Sequence, residues 1–233
     1  MRAKIILMGL VWFPFCHFFG QKELVLEKIK PFHLDEYHIT HLFENGLKKF
    51  QFQEETTIES SVENTKTTTS LSSYSPTNDE WKLISINQNP PSQKEIKQFL
   101  KDKKRIKLIR KIKIDHHSWK IETDNDSLLV ISFHYIKNNL PKDLKILGKC
   151  KTNLYLNKRT NRLYKVSIEN QEKFRLKLYK INKIYMEEYF NFDELTAIYL
   201  SKSEFIYIQL KFLNQYIDVK QKKFFSNYQY SKQ

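Results

Sequence analysis

Hydrophobic and polar residues alternate along most of the chain from residue 105 onward. At the start of this region four aliphatic residues occupy one parity and four basic residues the other: Ile106, Leu108, Ile112 and Ile114 against Arg105, Lys107, Lys111 and Lys113. A period of two is typical of a strand with one buried and one solvated face, so we predict a strand over 105–114. The same reasoning predicts strands at 117–123, 127–136, 146–157, 162–169, 173–190, 196–201, 204–214 and 217–229. Short strands in series without intervening helices indicate an antiparallel meander.

Two segments instead show the spacing of an amphipathic helix. Apolar residues at intervals of three and four between Ile39 and Phe50 predict a helix over 34–48. A second helix is predicted over Ser92–Lys103, because Ser92 and Glu95 stand at the spacing of a capping box and apolar residues follow at helical intervals. These two helices are the predicted covers of the sheet.

The stretch 51–78 is rich in Thr, Ser, Glu and Asn. Such a composition is found in flexible linkers. Alternate positions such as Phe52 and Ile58 share one parity, however, and Thr favours strands. We therefore predict two exposed strands with a turn near 63–66, followed by a strand at Trp81–Ile86, and keep a flexible linker as the alternative for 51–78.

The N-terminal segment Met1–Gly20 has the order of a secretory signal peptide. Arg2 and Lys4 precede an apolar run, and a small residue, Gly20, stands before Gln21. The alternative is a retained membrane anchor, but a span needs roughly 20 apolar residues, and this run is shorter. We predict export to the periplasm, with Gln21 as the first residue of a single β-rich domain over 21–233.

The composition is strongly basic. The 233 residues include 40 Lys or Arg and 26 Asp or Glu, which gives a formal charge of +14. This excess suggests an anionic partner. Arginine, the residue that base recognition and bidentate phosphate contacts favour, is scarce. We therefore expect no nucleic-acid partner, and we expect peripheral membrane contact at most.

The densest basic patch lies between residues 101 and 113. We take five of its residues as a candidate interaction face: Lys104, Arg105, Lys107, Lys111 and Lys113. The alternative for this patch is a solvated lysine surface with no partner.

The chain shows no local catalytic, cofactor or metal motif. His38 and His41 are three residues apart, whereas helical zinc motifs mostly use four. Cys16 lies in the predicted signal peptide, so Cys150 would be alone after cleavage and is interpreted as a small buried residue in a strand. We predict that the protein is not an enzyme and binds no cofactor. A carboxylate site assembled across strands would leave no trace in the sequence.

One stretch resembles a known group of exported bacterial proteins. The residues are Tyr74-Ser75-Pro76, Trp81 with Leu83-Ile84 and Ile86-Asn87, and Pro91-Ser92 with Ile96-Lys97. These proteins are similar to the periplasmic lipoprotein carriers of the LolA and LppX type. The resemblance implies an α+β fold in which a curved, unclosed antiparallel sheet, a half-barrel, has its apolar concave face covered by two helices. It also implies a cavity for acyl chains or another apolar ligand.

The leading hypothesis is therefore a non-enzymatic binding protein of the cell envelope that carries a lipid-like or other apolar ligand. The alternative is an interaction or scaffold module whose basic face contacts anionic envelope polymers or a protein. A hydrolase with a cross-strand carboxylate site is a third hypothesis, and it predicts a polar cleft.

Overall fold

A computed structural model of the protein describes residues 20–42, 49–61, 66–106, 112–140, 142–176 and 178–231. The α-helices are α1 (Gly20–Ile29), α2 (Glu36–Thr40) and α3 (Gln93–Ile106), with 3-10 turns at Lys30–Phe32, Lys137–Asn139 and Lys142–Lys149. The strands are β1 (Phe50–Ser60), β2 (Lys66–Ser75), β3 (Glu80–Ile86), β4 (Lys120–Asp124), β5 (Leu128–Phe133), β6 (Cys150–Asn157), β7 (Arg162–Asn170), β8 (Phe174–Leu176), β9 (Tyr179–Asp193), β10 (Ile198–Phe212) and β11 (Gln215–Tyr230). The predicted signal peptide, up to residue 19, lies outside the described residues.

The strands form one large antiparallel sheet. Their order is β3-β2-β1-β11-β10-β9-β7-β6-β5-β4, and β8 pairs with β9 beside this path. The sheet is curved. It is also unclosed, because the path begins and ends on different strands that do not pair with each other. The predicted fold class, an α+β half-barrel, is confirmed.

The helices lie on one face of the sheet, called here the inner face. Tyr199 on β10 donates a hydrogen bond of 2.7 Å to the carbonyl of Phe32, and Lys103 on α3 contacts Glu54 on β1 at 2.7 Å. Below α1 and α2 the inner face is filled by a hydrophobic core that includes Val25 and Ile29. In the described part of the chain no helix combines the length and apolar character needed to cross a membrane.

The predicted helix at Ser92–Lys103 is confirmed as α3. Ser92 N donates to Glu95 Oε2 at 2.7 Å and Glu95 N donates to Ser92 Oγ at 3.3 Å, which is the reciprocal pattern of a capping box. The strand predicted at Trp81–Ile86 is present, and the strands predicted along 117–169 and 196–229 have counterparts in the structure. The strand predicted over 173–190 is instead two antiparallel strands, β8 and β9, joined by a turn after Leu176. The turn at 157–161 is closed by hydrogen bonds to Asn157 Oδ1. The predicted strands 196–201 and 204–214 are one strand, β10, with a bulge between Ser201 and Ser203.

Four predictions need correction. The strand predicted over 105–114 is wrong at its start, because α3 continues to Ile106; residues 107–111 lie outside the described residues. The helix predicted over 34–48 is described only as the short α2. The segment 51–78 does form two strands, but β1 is not exposed, since Phe52 and Glu54 are buried. Residues 146–149 are a 3-10 turn, and the predicted strand begins only at Cys150. The helix α1, which buries Val25 and Ile29, was not predicted.

Candidate functional site

The structure does not assemble the predicted basic face on a strand. Lys104 and Arg105 lie in the last turn of α3, and Lys107 and Lys111 lie outside the described residues. Lys113 is exposed and precedes the bridge between Ile114 and Tyr135. An interaction role for these residues stays a prediction.

Lys113 lines a surface cleft of about 650 Å³ between α2 and residues 112–117. In this cleft Glu36 forms an ion pair with Lys22 at 2.6 Å, and His116 Nε2 lies 3.2 Å from the second carboxylate oxygen of Glu36. Among the described residues, no three His, Cys, Asp or Glu side chains come together as a metal-binding group. The predicted pair His38 and His41 also takes other partners, since His38 Nδ1 contacts Asp35 and the His41 ring stacks on Tyr37.

The most unusual chemistry lies on the inner face, where paired residues form continuous rows across the sheet. One row crosses eight strands from β5 to β2: Ile131, Leu154, Val166, Glu188, Glu204, Lys223, Thr56 and Ser70. Directly paired residues project from the same side of an antiparallel sheet. The row therefore changes from apolar to charged at β9 and to hydroxyl-bearing residues at β1.

Five ionisable side chains meet at this row, and we call them the charged cluster: Glu54, Lys103, Glu188, Glu204 and Lys223. Lys103 Nζ lies 2.7 and 2.8 Å from the two carboxylate oxygens of Glu54, and Lys223 Nζ lies 2.6 Å from Glu204 Oε1. All four of these side chains are at most 18% exposed. The cluster is thus built of two buried ion pairs that join β1 to α3 and β10 to β11.

Lys103 enters the cluster from α3 and is held there by aromatic rings. Its Nζ lies 3.6 Å from the centroid of the Trp81 ring on β3, a cation–π distance. Burial lowers the pKa of Lys103, and the Glu54 carboxylate opposes this effect. For Lys223, burial also acts to lower the pKa, but the carboxylates of Glu204 and Glu54 outweigh it and raise the pKa. Both lysines therefore need their carboxylate partners to keep their charge.

Glu188 is the fifth member and has no lysine within ion-pair distance among the described residues. It is paired with Glu204 across β9 and β10, and Ser201 Oγ donates a hydrogen bond to it. Burial, and then the neighbouring charge of Glu204, raise the pKa of Glu188 to about 8. At neutral pH Glu188 is thus a neutral carboxylic acid, and the two ion pairs leave the cluster without net charge.

Among the described residues, the space beside Glu188 and Glu204 in the charged cluster is too small for a substrate. This space, which Met186 also borders, has a volume of about 10 Å³. This is no more than the volume of one water-sized probe. Two carboxyl groups are directly paired here, as in sites of acid–base catalysis, but the space beside this pair is not the polar cleft that the hydrolase hypothesis predicts.

Next to the charged cluster the inner face is apolar and half-open, and we call this area the apolar strip. Its members are half-buried except for the exposed Ile58: Ile58, Met186, Ile206, Ile208, Leu210, Phe212, Ile217 and Val219. The register places them side by side on β1, β9, β10 and β11. On β10 the strip spans residues 206 to 212, about 20 Å at ~3.3 Å per residue.

The two halves of the inner face thus differ. Below α1 and α2, side chains such as Trp119 and Phe133 fill the space and are at most 1% exposed. Beyond Glu204, the aliphatic residues of β10 and β11 remain accessible. An apolar surface flanked by buried charges can accept the chain of an amphiphile with its polar end at the cluster.

The structure agrees with the interpretation of Cys150 as a small buried residue. It is free and fully buried at the start of β6. Burial raises the pKa of its thiol to about 11, so the reactive thiolate is scarce at neutral pH.

The members of the charged cluster were not predicted as a site. Glu188 is adjacent to Glu187 in the sequence, but successive residues of a strand project from opposite faces, so these two carboxylates do not meet on β9. The usable signal was a charged residue at an apolar position of the pattern: Glu54 has the parity of Phe52, and Glu204 has the parity of Ile206. Their mutual contacts depend on strand register, which is not a local property of the sequence.

Comparisons with known proteins add one structural likeness. No family model and no curated protein matches the chain. A solved structure of a LolA superfamily protein from Nitrosomonas europaea is similar over 91% of this chain and 94% of that chain, with 11% identity and a TM-score of 0.39. The fold assignment rests on the strand order given above.

Proposed function

We propose that the protein is a non-enzymatic binding protein that holds a lipid-like, amphiphilic ligand on the apolar strip. The observation that carries the proposal is the half-open strip on β10 and β11, which adjoins the charged cluster. The apolar part of the ligand covers aliphatic side chains such as Ile206 and Val219, and its polar end lies toward Glu204 and Lys223. Removing such side chains from water contributes about 25 cal/mol per Å².

The place of action that we propose is the cell envelope. The sequence of residues 1–20 supports export, and a carrier of an amphiphile is useful where apolar molecules must cross an aqueous compartment. Determination of the N-terminus of the protein from its own cells tests this part of the proposal. We expect Gln21 as the first residue, and retention of Met1 would contradict a freely diffusing carrier.

Binding is tested with two fluorescent probes, N-phenylnaphthylamine and a dansyl-labelled fatty acid, in solution without membranes. We expect both probes to brighten and shift to the blue on the wild-type protein. Ile206→Ser removes an aliphatic side chain from the strip and should weaken binding about fivefold or more, since half-burial of such a side chain contributes about 1 kcal/mol.

The matched control is Phe205→Ser, because Phe205 neighbours Ile206 on β10 but belongs to the other face of the sheet. This variant should bind the probes as the wild type does. Absence of probe binding to the wild type, or equal losses in the two variants, would sink the proposal. Native mass spectrometry of protein purified from its own envelope then identifies the bound molecule.

A further inference from the structure

Two hairpins lie side by side at one end of the sheet. One connects β8 to β9 through Leu178, and the other connects β10 to β11 through Leu213. Tyr179 at the start of β9 is paired with Phe212 at the end of β10, and their ring centroids are 5.2 Å apart. The two turns therefore form one continuous edge.

This edge is apolar and exposed, and we call it the hairpin tip: Leu176, Leu178, Tyr179, Leu213 and Tyr216. Leu178 and Leu213 are each 78% exposed, and Tyr216 is 61% exposed. Large apolar side chains clustered in water mark interaction sites. Leucine with tyrosine is also the combination that favours the boundary between lipid headgroups and acyl chains.

The backbone at Leu213 supports a role outside folding. Phe212 and Gln215 are paired, so Leu213 and Asn214 make a two-residue turn, and Leu213 has φ 52°. This left-handed conformation favours Gly or Asn in tight hairpins. A leucine at this position adds strain and exposes an apolar side chain, and it contributes nothing to the core.

Basic residues surround the hairpin tip. The segment 173–180 reads Lys-Phe-Arg-Leu-Lys-Leu-Tyr-Lys, and it contains no carboxylate; neither does 211–216. Among the described residues, Arg175 and Lys180 are exposed, and Lys211 Nζ lies 5.3 Å from the centroid of the Tyr216 ring. Cations next to exposed leucines complement a bilayer with anionic headgroups, where each Lys or Arg near the surface contributes about 1 kcal/mol.

We propose that the hairpin tip docks on an anionic lipid bilayer, with Leu178 and Leu213 inserted among the lipids and the surrounding cations on the headgroups. The apolar strip ends at this same tip, since Phe212 and Ile217 flank the β10–β11 turn. If the proposed binding function holds, docking places the open end of the strip against the membrane, and the ligand passes between membrane and strip there.

The test is co-sedimentation with vesicles of phosphatidylcholine alone and of phosphatidylcholine mixed with phosphatidylglycerol. We expect the wild-type protein to sediment with the anionic vesicles and to be released when the salt rises from about 0.05 to about 0.5 M, as screening shortens the range of charge attraction. Leu178→Ser/Leu213→Asn should weaken binding about tenfold or more, and Asn suits the left-handed turn. A urea titration verifies that the variant is folded.

The matched control is Leu195→Ser. Leu195 is 95% exposed in the β9–β10 turn, at the opposite end of the sheet, beside Asp193 and Glu194. This variant should bind vesicles as the wild type does, whereas Lys180→Gln/Lys211→Gln should bind anionic vesicles more weakly and with a smaller salt dependence. Equal binding to neutral vesicles, unchanged binding of the tip variants, or an equal loss in Leu195→Ser would overturn the proposal.

The outcome separates docking from ligand binding, because the probe assay contains no membrane. A failure of docking leaves probe binding by the wild type and its loss in Ile206→Ser intact. If the proposed function is wrong, the wild-type protein does not bind the probes, whereas it still binds vesicles in a way that depends on Leu178 and Leu213. The tip variants should bind the probes normally.

Discussion

Replacing Glu188 by Gln should change how the stability of the protein depends on pH. The pKa of Glu188 is raised from 4.5 to about 8 because the side chain is buried and faces Glu204. Between these two pH values the folded protein holds a proton that the unfolded chain releases. The free energy of unfolding therefore falls as the pH rises, by about 1.4 kcal/mol per pH unit.

The free energy of unfolding falls by about 5 kcal/mol in total, since the pKa shift covers about 3.5 pH units at about 1.4 kcal/mol each. The stabilising contribution is fully present below pH 4.5 and is lost as the pH passes 8. Gln has the shape of the protonated acid and does not titrate. Glu188→Gln should therefore match the wild type within about 1 kcal/mol at pH 5 and exceed its stability by several kcal/mol at pH 8.

The assay is urea unfolding of both proteins at pH 5, 6, 7 and 8, compared as the difference between them, so that contributions from other groups cancel. The control is Glu187→Gln. The pKa of Glu187 is lowered: burial acts to raise it, but hydrogen bonds from Lys165 and Tyr185 outweigh burial. Its difference from the wild type should stay constant over this pH range. A constant difference for Glu188→Gln would refute the assignment of a neutral acid.

Three further predictions concern other parts of the molecule. Lys103→Met leaves the Glu54 carboxylate buried without its partner, and urea titration should show a loss of about 3–5 kcal/mol that Lys103→Met/Glu54→Gln partly restores; equal stability of the single and double variants would contradict the pairing. Ser92→Ala removes the cap of α3 and should lower the free energy of unfolding by about 1 kcal/mol, whereas Ser203→Ala, away from any helix end, should cost less. Cys150, with its thiol pKa raised to about 11, should react with a thiol reagent at pH 8 only after the protein is unfolded in urea, and fast labelling of the native protein would show that β6 is not closed over it.

Local features of the sequence were sufficient to predict most of the fold. The capping box at Ser92 and Glu95 depends on residues three apart, and it forms as expected. The predicted alternation of faces agrees with the structure, because the face on which a residue lies depends only on its position within its own strand. The same rule failed at Arg105 and Ile106, where two residues of alternation are also compatible with the last turn of a helix.

The charged cluster could not be predicted in the same way because its contacts are long-range. Glu54 and Lys103 are 49 residues apart in the sequence. No rule based on residue spacing predicts that a lysine on a helix will contact a carboxylate on so distant a strand. The pairing of Glu188 with Glu204 needs the β9–β10 register, which a bulge after Ser201 shifts by one residue. Without that bulge Glu204 would face the other side of the sheet, so a single unpaired residue decides whether the cluster exists.

Burying the charged cluster costs desolvation free energy, and this cost indicates a role beyond filling the inner face. Buried ion pairs seldom stabilise a protein more than apolar residues of the same size, so Glu54, Lys103, Glu204 and Lys223 are poor choices if the inner face only had to be filled. The half below α1 and α2 shows that this fold can be filled with apolar side chains. Under the proposed function, a neutral but polar boundary at the end of the apolar strip has a different use: it would limit how far an acyl chain can slide and offer paired charges to the polar end of the ligand. On this reasoning, replacing both ion pairs by apolar residues should leave the protein as stable as before and should weaken the preference for the dansyl-labelled fatty acid over N-phenylnaphthylamine. A retained preference would show that the cluster serves the fold alone.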